Sequence, residues 1–143
     1  MGPNVEPMDR DAALDFIRRN HRGVLATTRA DGTPQMSPVT AGVDDEGRVE
    51  ISSRETAYKV RHLQALPYAT YCAFTDGFFG EWVQVEGPAE VVSLPDAMEP
   101  LVDYYRRISG EHPDWPDYRA TMERDHRVLI RITVERAGPT VTG

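Results

Sequence analysis

Apolar and polar positions alternate with a period of two through most of this chain. The run Val24-Leu25-Ala26-Thr27-Thr28-Arg29 is followed by an Asp31-Gly32 turn and a returning run over residues 34–43. A second turn over residues 44–47 leads into Arg48-Val49-Glu50-Ile51-Ser52. Such alternation between tight turns predicts a three-stranded antiparallel meander. Residues 68–75 and 81–92 alternate again around the loop Asp76-Gly77-Phe78-Phe79-Gly80, and residues 127–134 supply a sixth strand. Gly87-Pro88, inside the fifth strand, predicts a bulge where a long strand bends.

Helical spacing occurs in four places. Ala13, Phe16, Ile17 and Asn20 fall on one face of a helix capped by Asp9, with Arg18, Arg19, His21 and Arg22 near its end and Gly23 as its stop. Thr56 is placed to cap a short helix through Leu66, with Ala57, Val60 and Leu63 inward and Pro67 ending it. Residues 95–108 are helical in pattern, with Pro100 kinking the first turns or resetting the start, and Asp114 caps a further helix to about Glu123. The expected fold is mainly β (α+β): a six-stranded antiparallel split β-barrel with peripheral helices. The βαβ spacing and glycine fingerprint of a dinucleotide fold are absent.

With 143 residues, a single domain over residues 1–143 is expected. Hydrophobic residues make up 40% and charged residues 27%, a balance that argues against disorder. No apolar run approaches the roughly 20 residues of a membrane span, and residues 1–7 lack the basic and apolar parts of a signal peptide. A cytoplasmic location with no membrane partner is therefore expected. The lone Cys72 reads as a small core thiol. His21, His62, His112 and His126 are scattered without metal-ligand spacing, so no metal is expected. The formal net charge of −7 argues against nucleic acid as a partner. It also means that any anionic ligand requires positive charge concentrated in one place.

Residues 52–63, where the third strand gives way to a helix, offer such a concentration. With Thr56 as cap, Lys59 falls at N3, where a carboxylate would suit both a capping box and the helix dipole. A lysine there runs against the local rule, and such departures mark candidate functional positions. The hydroxyls of Ser52, Ser53 and Thr56, the cations Arg54, Lys59 and Arg61, and a helix N-terminus together have the donors and charge that a phosphate requires. The same cations would also suit a solvated helix face. Gln35, Met36 and Ser37, on a strand interrupted by Pro34 and Pro38, offer backbone groups to a heteroaromatic ring; a proline-guarded edge strand is the alternative. Phe78, Phe79 and Trp82 can either cover a flat ligand or fill the core. No nucleophile elbow is present, and no catalytic residue is nominated.

Six segments occur in an order that resembles a known family: Gly23-Val24-Leu25-Ala26-Thr27, residues 31–37, Lys59-Val60-Arg61-His62-Leu63, Val85-Glu86-Gly87-Pro88-Ala89, Gly110-Glu111-His112-Pro113-Asp114-Trp115 and Arg127-Val128-Leu129-Ile130. Over about residues 8–136 the chain resembles the pyridoxamine 5′-phosphate oxidase-like split-barrel superfamily. Residues 110–115, followed by Tyr118-Arg119, favour its actinobacterial group of F420-dependent oxidoreductases. The resemblance implies a homodimer with a cofactor groove at the subunit interface, and hydride transfer between coenzyme F420 and a small organic substrate. It further implies that Ser52, Lys59 and Arg61 grip the phosphate-bearing tail and that residues 35–37 wall the deazaflavin ring. Related proteins often carry an arginine two residues before the lysine, where this chain has Ala57; Arg54 is the cation nearest in sequence to replace it. That departure leaves FMN as the alternative cofactor. A non-catalytic carrier using the same groove is a third reading.

Overall fold

The computed structural model describes residues 9–138, which form seven strands and four helices. Strands β1 (Arg22–Thr28), β2 (Pro34–Val43) and β3 (Val49–Arg54) form the expected meander. They are followed by β4 (Tyr68–Phe74), β5 (Trp82–Val92), β6 (Arg127–Ile132) and the two-residue β7 (Arg136–Ala137). The spatial order is β4-β1-β2-β3-β6-β5, and pairing of β5 back to β4 closes a six-stranded antiparallel barrel. Closure leaves no free edge among these six strands. The short β7 adds to β5 alongside Val85 and Glu86.

Alternation sorts the strand residues into an inner and an outer set. Leu25, Ile51, Tyr71, Val83, Val85, Ile130 and Ile132 are buried within the barrel. Ala13, Leu14, Phe16 and Ile17 of α1 (Arg10–Arg19), and Val60 and Leu63 of α2 (Tyr58–Ala65), join the same cluster. A second cluster lies between β6 and the pair α3 (Met98–Ser109) and α4 (Trp115–Arg124). It contains Leu101, Val102, Tyr118, Met122 and Leu129. Strand β6 therefore contributes to both clusters: Val128, Ile130 and Ile132 fill the barrel, while Leu129, between Arg127 and Arg131 on the outer face, supports the two helices. No helix among the described residues is long and apolar enough to cross a membrane.

Several local expectations change in the structure. The cap of α2 is Ala57 rather than Thr56, and it makes no side-chain capping bond. Residues 54–57 form a turn in which the Ala57 N–H donates to the Arg54 carbonyl at 3.1 Å. This delays the helix by one residue and puts Lys59 at N2 rather than N3. Against β4, Gly87-Pro88 produces no bulge, since Ala69 faces Gly87 and Tyr68 faces Pro88; on the other edge the register slips by one residue between Ala89–Ile132 and Glu86–Arg136, with the extra residue on the partner segment 133–135. The glycine is required there because the Thr133 carbonyl approaches its Cα so closely that a Cβ would overlap it. Pro100 sits in the first turn of α3, which begins at Met98, so it resets the helix start. Strand β6 ends at Ile132, earlier than expected.

Candidate functional site

A cleft of about 840 Å³ opens on the outer side of the barrel, where α2, α3 and α4 converge on β1, β2, β3 and β6. Its polar lining is Arg22, Ser52, Lys59 and Arg127; its apolar and aromatic lining includes Pro38, Phe74, Tyr104, Tyr105, Tyr118 and Met122. No carboxylate is among the described residues that line it. The protein as a whole carries a net charge of −7, yet three cations meet in this cleft. Its size and its mixture of aromatic surface with a few polar groups suit a cofactor-sized ligand.

Ser52 reaches the cleft because β3 turns Val49, Ile51 and Ser53 inward, which leaves Glu50, Ser52 and Arg54 on the outer face. Lys59 enters from the first turn of α2 and is half-buried. Burial, and secondarily the charge of Arg127, holds its ammonium below the ordinary lysine range. Arg127 begins β6 directly opposite Arg54 of β3. Its Nε is buried and has no hydrogen-bond partner.

The tyrosine wall is fixed by hydrogen bonds and ring contacts. The Tyr104 hydroxyl donates to the Thr40 carbonyl at 2.7 Å, and the Tyr118 hydroxyl donates to the Leu101 carbonyl at 2.9 Å. Burial pushes the Tyr118 phenol up to about 12, with Tyr104 adding to the shift. Tyr105 and Tyr118 pack edge-on at 5.2 Å and both contact His112 and Trp115, with ring separations of 5.0 to 5.7 Å. The segment over residues 110–115 thus supports the wall from behind. Gly110 ends α3 at φ +80°, and Glu111 accepts from both Trp115 Nε1 and Arg106 Nε, at 2.9 and 2.7 Å. The Arg106 guanidinium lies 4.8 Å from the Trp115 ring centre, and Arg119 bonds Glu99 at 2.6 Å to tie α4 to α3.

Of the residues singled out in the sequence, Ser52 and Lys59 line the cleft. Arg54 lines a smaller depression with Glu55, Arg124 and His126. Arg61 is exposed on α2 and is not among the cleft residues. Gln35 and Ser37 oppose Thr27 and Leu25 on the inward side of β2, whereas Met36 opposes Ala26 on the outer side and is 65% exposed. The part of β2 that borders the cleft is Pro38-Val39-Thr40. Phe78 and Phe79 are exposed; the aromatic residue that this end of the barrel contributes is Phe74. Sequence reasoning missed Arg127 and the three tyrosines. The available signal for Arg127 was an arginine opening a strand whose next three residues are apolar.

The sequence profile described as pyridoxamine 5′-phosphate oxidase matches residues 10–140. Among solved structures, a conserved hypothetical protein from Mycobacterium tuberculosis superimposes with a TM-score of 0.75 at 25% identity, over 94% of this chain and 85% of that one. An F420 reductase gives 0.68 at 22% identity, over 93% and 98% of the two chains. A pyridoxamine 5′-phosphate oxidase-related, FMN binding protein from Nostoc punctiforme gives 0.62 at 14% identity, over 90% and 78%.

Proposed function

From its membership of the pyridoxamine 5′-phosphate oxidase family, to which this chain belongs, we propose that the protein is an oxidoreductase that binds coenzyme F420 in the cleft between β3, β6 and the tyrosine wall. The observation that carries this reading is a cofactor-sized cleft lined by three cations and four aromatic rings, with no carboxylate among its described lining residues. That donor set fits a ligand with a flat ring system and a phosphate-bearing tail. The F420 assignment draws on residues 110–115 with Tyr118 and Arg119, which resemble the F420-dependent group. The same barrel also occurs in an F420 reductase.

In this reading Ser52 and Lys59 hold the phosphate of the tail, and Arg61, outside the cleft on the exposed face of α2, meets the part of the tail that extends beyond it. Of residues 35–37, Met36 is the one whose side chain faces outward, where it meets a ring that extends past Pro38; Gln35 and Ser37 contribute their backbone. Tyr104, Tyr105 and Tyr118 exclude water from one side of the cleft. The bound group supplies a ring carbon that gives or takes a hydride; the protein contributes binding, orientation and a dry environment. The substrate is a small organic molecule with an electrophilic carbon.

The functional unit is a homodimer. On the outer face of β1, β2 and β4, Val24, Ala26, Met36, Pro38, Cys72 and Phe74 form a partly exposed apolar surface that runs into the cleft through Pro38 and Phe74. Coverage by a second copy would bury that face and complete the groove. Light scattering on the purified protein checks this, and a monomeric mass would refute it.

FMN is the second reading, favoured by Ala57, which supplies no cation two residues before Lys59. A carrier without turnover is the third. Parallel fluorescence titrations with F420 and with FMN separate the first two: F420 is expected to bind the more tightly, and tight FMN binding with no response to F420 would reverse the assignment. Turnover of reduced F420 with conjugated acceptors then separates an enzyme from a carrier.

A further inference from the structure

Building on the reading of the cleft as the site of a phosphate-bearing cofactor, we infer that Arg127 is a direct phosphate ligand, which forms with Lys59 and Ser52 a site for a phosphate ester. Three features of the molecule support this. First, Arg127 and Arg54 stand directly opposite one another across the β3–β6 pair. Like charges so placed are destabilising unless something lies between or beside them to neutralise them. Second, the Arg127 Nε is buried without a hydrogen-bond partner, an arrangement that costs the full desolvation of a charged donor. Third, neither Arg127 nor Lys59 forms an ion pair with any described residue, and no carboxylate is among the described residues of the cleft they share.

Arg131, on the same face of the strand as Arg127, bonds the buried carboxylate of Glu50 at 2.9 Å. One arginine of the strand therefore has a protein counter-ion and the other faces a cleft. A guanidinium presents a planar fork that matches two phosphate oxygens, while the lysine ammonium and the serine hydroxyl can serve the remaining ones. A phosphate ester has enough oxygens for all three donors and enough charge to offset the Arg54–Arg127 opposition.

The apo-protein tests this through thermal unfolding with inorganic pyrophosphate against sodium chloride at matched ionic strength, for the wild type, Arg127→Met, Arg127→Lys and Lys59→Met. Pyrophosphate is expected to raise the wild-type Tm by about 2 °C or more beyond chloride. The rise should vanish in Arg127→Met and Lys59→Met and persist in part in Arg127→Lys. Without ligand, Arg127→Met should unfold at a urea midpoint no lower than the wild type, because it removes an unpartnered buried donor. A structural role for Arg127 predicts the opposite: a lowered midpoint or failure to fold, with Arg127→Lys keeping the full pyrophosphate response. A paired titration adds a second readout: Arg127→Met should weaken FMN at least tenfold, about 1.4 kcal/mol, and leave riboflavin, which lacks the phosphate, unchanged.

Pyrophosphate acting no more strongly than chloride, an equal response in Arg127→Met, or an equal loss of riboflavin and FMN would overturn the assignment. An Arg127-dependent pyrophosphate response without binding of either F420 or FMN would keep the phosphate site and remove the cofactor reading. Cofactor binding that is indifferent to Arg127 would do the reverse.

Discussion

At the scale of single residues, the cleft sets stability against binding. The fold depresses the pKa of Lys59, first by burial and then through Arg127. A depressed value means that the stability this group contributes is present above the unfolded lysine value and is lost as pH falls through the folded one. At neutral pH the buried ammonium is therefore a cost to the apo-protein. Lys59→Met is expected to raise the urea-unfolding free energy at pH 7 by about 0.5 kcal/mol or more, while weakening F420 or FMN at least tenfold; a destabilised variant would contradict the first half. A phosphate bound beside Lys59 favours its charged form, so affinity should fall as pH rises through the depressed pKa. Titrations in buffers of different ionisation enthalpy should then register proton uptake. Ser52 and Lys59 were legible because they share one short stretch with an unusual charge for a helix start. Arg127 was not, because pairing of β3 with β6 brings it to that stretch from far along the chain.

At the scale of elements, close approaches between segments decide what local sequence leaves open. A Cβ at Gly87 would overlap the Thr133 carbonyl, a backbone atom that cannot swing aside. Gly87→Ala should therefore cost about 2 kcal/mol or more in urea unfolding, and a change below about 0.5 kcal/mol would show that the chain after β6 moves freely. Gly-Pro within a strand pattern predicts either a bulge or a crowded backbone. Choosing between them requires knowing that Thr133 lies opposite, which no local window contains. The start of α2 has a similar explanation. Thr56 has the better side chain for a cap, but the Arg54–Ala57 turn takes up those residues and moves the helix start onward. The strands themselves were legible because alternation with tight turns is a local signal. The aromatic support of Tyr105 and Tyr118 was not, since residues 110–115 acquire that role only once α3 and α4 pack together.

At the scale of the whole molecule, β6 ties the barrel to the helices that wall the cleft. Its outer face carries Arg131, which bonds the Glu50 carboxylate, 2% exposed, at 2.9 Å; Arg107 of α3 reaches the same carboxylate at 3.4 Å. Burial raises the pKa of Glu50 against the lowering effect of Arg131 and Arg107. For a raised carboxylate, the contribution to stability is full below the unfolded value and is lost as pH rises through the folded one. Arg131→Met leaves a buried charge with a single, longer contact, so a loss of about 3 kcal/mol is expected at pH 7. That deficit should shrink on acidification through the raised pKa, and a pH-independent deficit would show that Glu50 does not cause it. The position of β6 between β3 and β5 has a consequence for synthesis. Until Arg127–Ile132 has left the ribosome, every earlier strand of the barrel can be present while β3 and β5 still lack a shared neighbour. Lacking that strand, the other five can pair only as an open sheet whose two margins, β3 and β5, have unpaired backbone groups, so a chain truncated before Arg127 is expected to aggregate where the full chain stays monodisperse.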